Sequence, residues 1–334
     1  MLKYIIKRIL LIIPVLLGVM IVVFTINYIS PSDPVDIIAG ANAPDYIREE
    51  IRQDLGLDEP YLVQLFNYAK GVILRLDFGN SYITKTSVRD DILTRFPTTL
   101  KLSLLMVFFG TLIGVPLGVL SAIKQNSIFD YIGTFLALIG ASLPGFWLGL
   151  MLIILFALRL GWLPPSGIDT WQHWILPMVA GGVYPIASIM RTTRASMLEV
   201  VRQDYIRTAR SKGLAERTVT VRHALKNAII PVVTIVGMSL AFVMGGTMVI
   251  EAVFSIPGLG SLLKNGIGQM DTPVILGCVL FSAFIMSVMN LLVDILYAFI
   301  DPRIKAQYSG KKKVKRVAVA ETTQEEGGEE NGEN

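Results

Sequence analysis

The chain has 334 residues, 53% of them hydrophobic and 17% charged, with a formal net charge of +4 and a mean hydropathy of +0.59. A soluble domain averages about 25% charged residues; here the deficit is concentrated in long apolar runs, which excludes an ordinary soluble globular protein and points to the bilayer. Cys278 is the single cysteine, so no internal disulfide is possible, and it reads as a small apolar packing residue.

A membrane span needs roughly 20 apolar residues, about 30 Å of helix at 1.5 Å per residue. Six stretches qualify. The first is 9–29. Lys3, Lys7 and Arg8 before it imitate the basic end of a signal peptide, and Ala41-Asn42-Ala43 imitates a cleavage site. The apolar run, however, exceeds the roughly 7–15 residues of a signal peptide and ends well before that site. It is expected to stay as a span.

Residues 30–97 then form a segment too large for a connector. Pro44 opens a helix that Gly56 ends, and Asp58 is placed to cap another reaching Leu74. Ser87, with Asp90 three residues on, resembles a capping box with Asp in place of Glu. A small helical extracytoplasmic insertion is expected. The second span is 98–122 and the third 131–157, long enough to tilt. The fourth, 174–190, is short and interrupted by Pro177, Gly181, Gly182 and Pro185.

Between the fourth and fifth spans, residues 191–228 are basic and helical. Met197, Val201, Tyr205 and Ala209 recur every four residues as an apolar stripe. Gly213 should stop that helix, and 215–228 should form a second. The fifth span is 229–251 and the sixth 273–300. The tail, 303–334, begins with the basic run Lys311 to Arg316 and ends acidic and Gly/Asn-rich. That composition cannot bury enough apolar area to fold; its basic part reads as a solvated tail following the positive-inside rule, with contact to anionic headgroups the alternative.

Orientation follows from Lys and Arg. With the N-terminus inside, inner segments hold twenty of the thirty basic residues, nine of them between Arg191 and Lys226. The two short outer loops hold only Arg159 and Lys264. Both termini are therefore expected in the cytoplasm.

Several chemistries are absent. No G-x-x-x-x-G-K-[ST] phosphate cradle occurs. His173 and His223 fall on opposite sides of the expected membrane and cannot share a site; His173, between Trp171 and Trp174, reads as an interfacial anchor. Mid-span positions Phe109, Pro144, Gly182, Leu240 and Met286 have no ionisable residue within two places. Ion-coupled carriers normally place one there. Uphill transport would then draw its energy from a partner, and 191–228 is the natural docking surface. The stretch Pro257 to Gly260 (PGLG) reads as a helix breaker at the outer mouth rather than a phosphate loop, with gating as the alternative.

Residues 204–231 (DYIRTARSKGLAERTVTVRHALKNAIIP) resemble the cytoplasmic coupling loop of ABC importer permeases, narrowly the dipeptide/oligopeptide/nickel group. Residues 2–19, 55–68, 77–82 (DFGNSY), 141–149 (ASLPGFWLG), 245–260 (GGTMVIEAVFSIPGLG) and Asp301 to Arg303 agree, so the likeness covers about 1–305. The large segment after the first span is similar to that of the B-type permease of the pair. The general signature has Glu-Ala-Ala, three residues, then Gly; here those first places hold Arg207, Thr208 and Ala209 before Gly213. Pro231 also lies further on than the signature's Pro. Asp204, one turn before Arg207, is left as the candidate acidic contact.

The resemblance implies an all-α integral membrane protein of type I ABC importer permease architecture. Its expected parts are 1–29 (N-terminal end and first span), 30–97 (extracytoplasmic insertion), 98–302 (permease core, coupling loop 191–228) and 303–334 (disordered cytoplasmic tail). Such a subunit is not an enzyme and holds no cofactor or metal; ATP is bound by partners. It pairs with a homologous permease, two cytoplasmic ATPase subunits and an extracytoplasmic solute-binding protein, in a bacterial or archaeal plasma membrane. Asp204, Tyr205, Arg207, Ala209, Lys212, Gly213 and Leu214 are the implied ATPase-coupling residues. Short peptides are the expected solute, with nickel chelates or glutathione as alternatives. An intramembrane hydrolase lacks an in-membrane Ser–His or paired-Asp site, and a passive channel would not co-purify with ATPase subunits.

Overall fold

The computed structural model describes residues 2–30, 33–40 and 42–300. The expected tail, 303–334, and the Asp301 to Arg303 stretch lie outside the described residues. All regular structure among the described residues is helical. In chain order the helices are α1 (Leu2–Ile29), α2 (Pro34–Ala39), α3 (Asp45–Asp54), α4 (Tyr61–Arg75), α5 (Val88–Ile123), α6 (Ile128–Ser142) and α7 (Gly145–Leu152). There follow α8 (Ile175–Val201), α9 (Asp204–Ser211), α10 (Glu216–Thr218), α11 (Lys226–Val253), α12 (Leu259–Gly268) and α13 (Thr272–Ile300). A π-helical stretch, Ile153–Arg159, continues α7; a 3-10 turn, Trp171–Trp174, leads into α8; a second π-helical stretch, Val219–Leu225, joins α10 to α11.

Five helical runs are long and apolar enough to cross a membrane, and the pair α6 and α7 makes a sixth if taken together. The expected third span is therefore not one helix. It bends by 100° between Ser142 and Gly145. Pro144 is the cause: it lacks an N–H, and its ring pushes Leu143 out of the helical region, to ψ 128°.

The way α5 and α8 meet shows that the broken pair does cross. Gly110, Gly114 and Gly118 lie on one face of α5, four residues apart. A Cβ at Gly110 would stand 2.5 Å from Cβ of Pro185, one at Gly114 2.9 Å from the Ile186 carbonyl, and one at Gly118 2.6 Å from the Met190 carbonyl. Both helices advance together, so α5 and α8 run parallel. The chain must recross between Ile123 and Trp171, and α6 with α7 makes that return. Without a hydrophobic drive between helices in lipid, such small-residue stripes are what let backbones approach.

α11 and α13 run antiparallel, since Gly237 faces Val293 and Gly245 faces Met286. α1 is antiparallel to α13, and Arg8 pairs with Asp294 at 2.7 Å. The start of α1 and the end of α13 thus share one end of the bundle with α9, the loop end. α2, α3, α4 and α12 occupy the other, the insertion end.

Three other expectations change in detail. α5 begins at Val88, ten residues before the apolar stretch at 98, and its first turns carry Arg89, Asp90, Asp91 and Arg95. Ser87 does occupy its N-cap, but without a side-chain cap bond; Ser87 is held in a backbone bridge with Asn80, and Asp90 is one methylene too short for the reciprocal bond. Asp58 does not cap α4. Pro60 stands there instead, with φ preset at −55°, and the Gln64 amide donates to the Leu57 and Glu59 carbonyls at 2.9 and 2.8 Å.

Candidate functional site

The loop-end structure is built on the ends of two spanning helices. α8 extends to Val201, well past the expected 190, and only Arg202 and Gln203 separate it from α9. On the far side, the run Glu216–Val253 carries the chain from α10 into the fifth span. The expected separate second helix, 215–228, is thus the start of α11's run, and the expected stripe of Met197, Val201, Tyr205 and Ala209 is split between α8 and α9. The break has a reason: α9 starts anew with Gln203 extended (ψ 148°) and Asp204 in its first turn.

This loop has its own core. Met197, Ile206, Ala209, Val219, Ala224 and Ala228 are buried together with Ala122 of α5. The Ser196 hydroxyl donates to the Ala228 carbonyl at 2.9 Å, tying α8 to the start of α11. Gly213 closes the turn after α9 with φ +75°, a left-handed conformation that glycine adopts without Cβ strain. Its N–H donates to the Arg210 carbonyl at 2.9 Å. Arg210 reaches across the turn to Glu216, 2.7 Å away, and this bond raises the Arg210 guanidinium pKa.

Of the seven sequence-predicted residues, Asp204, Tyr205, Arg207, Lys212, Gly213 and Leu214 are exposed on the outside of this turn. Ala209 is not; it faces the loop core. The Tyr205 hydroxyl accepts from the Asn227 side chain at 3.0 Å, fixing the ring against the start of α11. Sequence reading missed Ile206, the buried anchor of α9, and Glu216, the ion partner of Arg210. Helical spacing from Met197 favoured Tyr205 over Ile206 because it assumed an unbroken helix.

Higher on the same elements, Arg194 of α8 grips Asp130 of α6 with two nitrogens, each 2.7 Å from a carboxylate oxygen. The Ser121 hydroxyl and the Asn126 N–H also donate to Asp130. Neither residue was singled out from sequence; a lone Asp in an apolar first turn was the available signal.

At the insertion end, Glu251 is fully buried. It accepts from the Thr99 hydroxyl at 2.7 Å and the Ser261 N–H at 3.0 Å, while the Leu259 N–H donates to Thr99 at 2.8 Å. One carboxylate thereby joins α5, α11 and the start of α12. The PGLG stretch fits around it: a Cβ at Gly258 would fall 2.4 Å from the Glu251 carboxyl, and one at Gly260 2.2 Å from Cα of Met248. Nearby, Asp271 accepts from the Ser81 hydroxyl at 2.5 Å and the Tyr82 N–H at 3.1 Å. Burial, then Asp271, pushes the Tyr82 phenol up to about 12, so it stays protonated.

His173 belongs to the 3-10 turn, its Nδ1 accepting from the Thr170 N–H at 3.1 Å. His223 lies in the π-helical stretch at the loop end, the length of α8 away. Among the described residues no group of three or more His, Cys, Asp or Glu is placed to hold a metal.

Residues 114–306 match the family described as binding-protein-dependent transport system inner membrane component, and 1–103 match the N-terminal region of binding-protein-dependent transport system membrane components. The glutathione transport system permease protein GsiC of Salmonella choleraesuis (strain SC-B67) is 43% identical over 91% of this chain and 99% of its own length. Its namesake in Escherichia coli (strain K12) is 41% identical over the same shares. In fold, the chain is similar to inward-facing structures of the MetNI methionine ABC transporter. One has TM-score 0.55 and 19% identity, and another 0.52 and 18%; each covers 63% of this chain and 96% of the other.

Proposed function

We propose, from the premise that this chain belongs to the binding-protein-dependent transport system inner membrane component family and is an ABC importer permease of the dipeptide/oligopeptide/glutathione class, that it forms half of a translocation pathway for short peptides. The other half is a homologous permease. Two separate ATPase subunits dock at the loop end and supply the energy, so this chain has no ATPase site of its own. A solute-binding protein delivers cargo to the insertion end. The loop end faces the cytoplasm, in line with the surplus of Lys and Arg there.

One observation carries this reading. The exposed turn around Gly213 sits on a packed core, and both of its arms run directly into spanning helices. A rigid protrusion transmits displacement that a floppy loop would absorb. Asp204, Tyr205, Arg207, Lys212, Gly213 and Leu214 form its contact surface; Ala209 supports that surface from beneath. Glutathione, named for the relatives, is itself a tripeptide and heads the candidates within the peptide class, with nickel chelates behind it.

The test is uptake by vesicles reconstituted with the complete complex. ATP-dependent accumulation of glutathione or another short peptide, dependent on the binding protein, is expected. Accumulation driven by a proton gradient without ATP would overturn the reading.

A further inference from the structure

The insertion reads in sequence as an extracytoplasmic body, yet one of its helices has the make-up of a membrane element. α4 is amphipathic in three directions. Leu65, Tyr68, Ala69 and Val72 pack into the cluster that holds Met20, Phe78 and Cys278. On one flank, Gln64 and Asn67 line an open cavity of about 930 Å³, together with Asn27, Asn80 and Lys85. On the opposite flank lie Leu62, Phe66 and Ile73, within about 40° of each other at 3.6 residues per turn. These three are 73%, 66% and 61% exposed. The cavity flank and the Leu62, Phe66 and Ile73 flank thus lie on opposite sides of α4, with Leu74, 69% exposed, beside Asn67.

The depth of α4 identifies what covers them. Phe24 stands about 24 Å along α1 from Arg8, at 1.5 Å per residue, and Cys278 the same distance along α13 from Asp294. The Arg8–Asp294 pair, at 2.7 Å, marks a common starting level near the loop-end boundary. Tyr68 meets Phe24 at 5.8 Å between ring centres, and Tyr61 meets Tyr28 at 5.1 Å and Phe24 at 5.8 Å. The Tyr61 hydroxyl also bonds Thr25 at 2.7 Å. α4 therefore lies at the height where a hydrocarbon layer of about 30 Å ends. Tyr28 and Tyr61 sit at that level, where tyrosines of an aromatic belt are expected. Exposed Lys70 and Arg75 have stems long enough to reach headgroups. Beside α4, α1 is itself bare on nearly every side, with only 6% of its most apolar window buried.

We propose that α4 is an interfacial helix that beds Leu62, Phe66 and Ile73 into the acyl region of the insertion-side leaflet. The insertion is thereby fixed in height on the membrane, and its polar flank is aimed at the cavity. The occupant is lipid, not the binding protein or the second permease. Nothing in this depends on which solute is carried.

Site-directed spin labelling of the full complex in phosphatidylethanolamine/phosphatidylglycerol vesicles tests it. Leu62→Cys, Phe66→Cys and Ile73→Cys would each be labelled, with Asn67→Cys as the aqueous reference; the native Cys278 is buried. Collision with oxygen should exceed collision with a water-soluble nickel complex at the three apolar sites by several-fold more than at Asn67. That ratio should not change when the binding protein is added. Nickel accessibility equal to that of Asn67 would overturn the proposal in favour of an aqueous face. Protection from both reagents would overturn it in favour of a protein partner, as would protection that appears only with the binding protein.

Discussion

Replacing Gly213 with Val isolates the backbone of the turn proposed to couple to the ATPase. A Cβ at this position meets nothing within 4 Å, so no clash contributes. The whole cost comes from φ +75°, where an L-residue is disfavoured by about 1–2 kcal/mol, and a β-branched one by no less. That is about a 5- to 30-fold shift in the population of the native turn. Relaxing the turn drags against the Gly213 bond to the Arg210 carbonyl and the Arg210–Glu216 pair, so Tyr205 and Leu214 lose their common surface. In reconstituted vesicles, solute uptake and solute-stimulated ATP hydrolysis should fall together by a similar factor, while membrane insertion stays normal. Gly213→Asn should recover most of the loss, because Asn tolerates the left-handed region. Normal ATP-dependent uptake by the Val variant, or an Asn variant as damaged as Val, would refute the reasoning.

Asp130→Ala leaves the Arg194 guanidinium and the Ser121 hydroxyl without their acceptor. Allowing for the partial exposure of Arg194, it should cost about 2 kcal/mol or more and lower the thermal midpoint in detergent by several degrees; an unchanged midpoint would show that the pair holds nothing together. Gly114→Leu drives a side chain into a space where the Ile186 carbonyl would be 2.9 Å and Cβ of Ile189 3.1 Å from Cβ. An overpacking cost of about 1–3 kcal/mol should appear as reduced folded yield, whereas Gly246→Ala, with open space, should be silent. A reporter fused after Arg303 should be cytoplasmic and one inserted near Asn80 extracytoplasmic; finding both on one side would refute the six-crossing topology.

Most spans were legible as long apolar runs, and the turn at Gly213 because one glycine in a basic, helical segment has few other uses. What escaped were features set by contacts across the bundle. Pro144 was visible in the sequence, but a proline in a span is often tolerated, and the 100° turn it makes here shows only in the structure. The Gly110, Gly114 and Gly118 stripe was readable as a small-residue motif; what it faces was not. Asp130 and Arg194 are separated by 64 residues, and the Thr99–Glu251 bond by 152. The α9 boundary failed for a local reason: periodicity alone does not register a two-residue break.

On the proposed coupling role, the two arms of the loop are mechanically unequal. α8 is the stiff arm. It is locked to α5 along the glycine stripe and to α6 by the Asp130–Arg194 pair, so displacement of α9 carries three helices as one body. The other arm enters α11 through the π-helical stretch Val219–Leu225 and then Pro231, which gives up a helical hydrogen bond. Both features weaken the backbone ladder where it leaves the loop. Beyond them, α11 runs rigidly to Glu251, which is bonded to Thr99 of α5 and to the start of α12. The 219–231 segment is also anchored from the side: Val219, Ala224 and Ala228 pack in the loop core, and Ser196 of α8 donates to the Ala228 carbonyl. On this reading, displacement at the loop passes along α11 to the Thr99–Glu251 contact, which bonds α11 to α5.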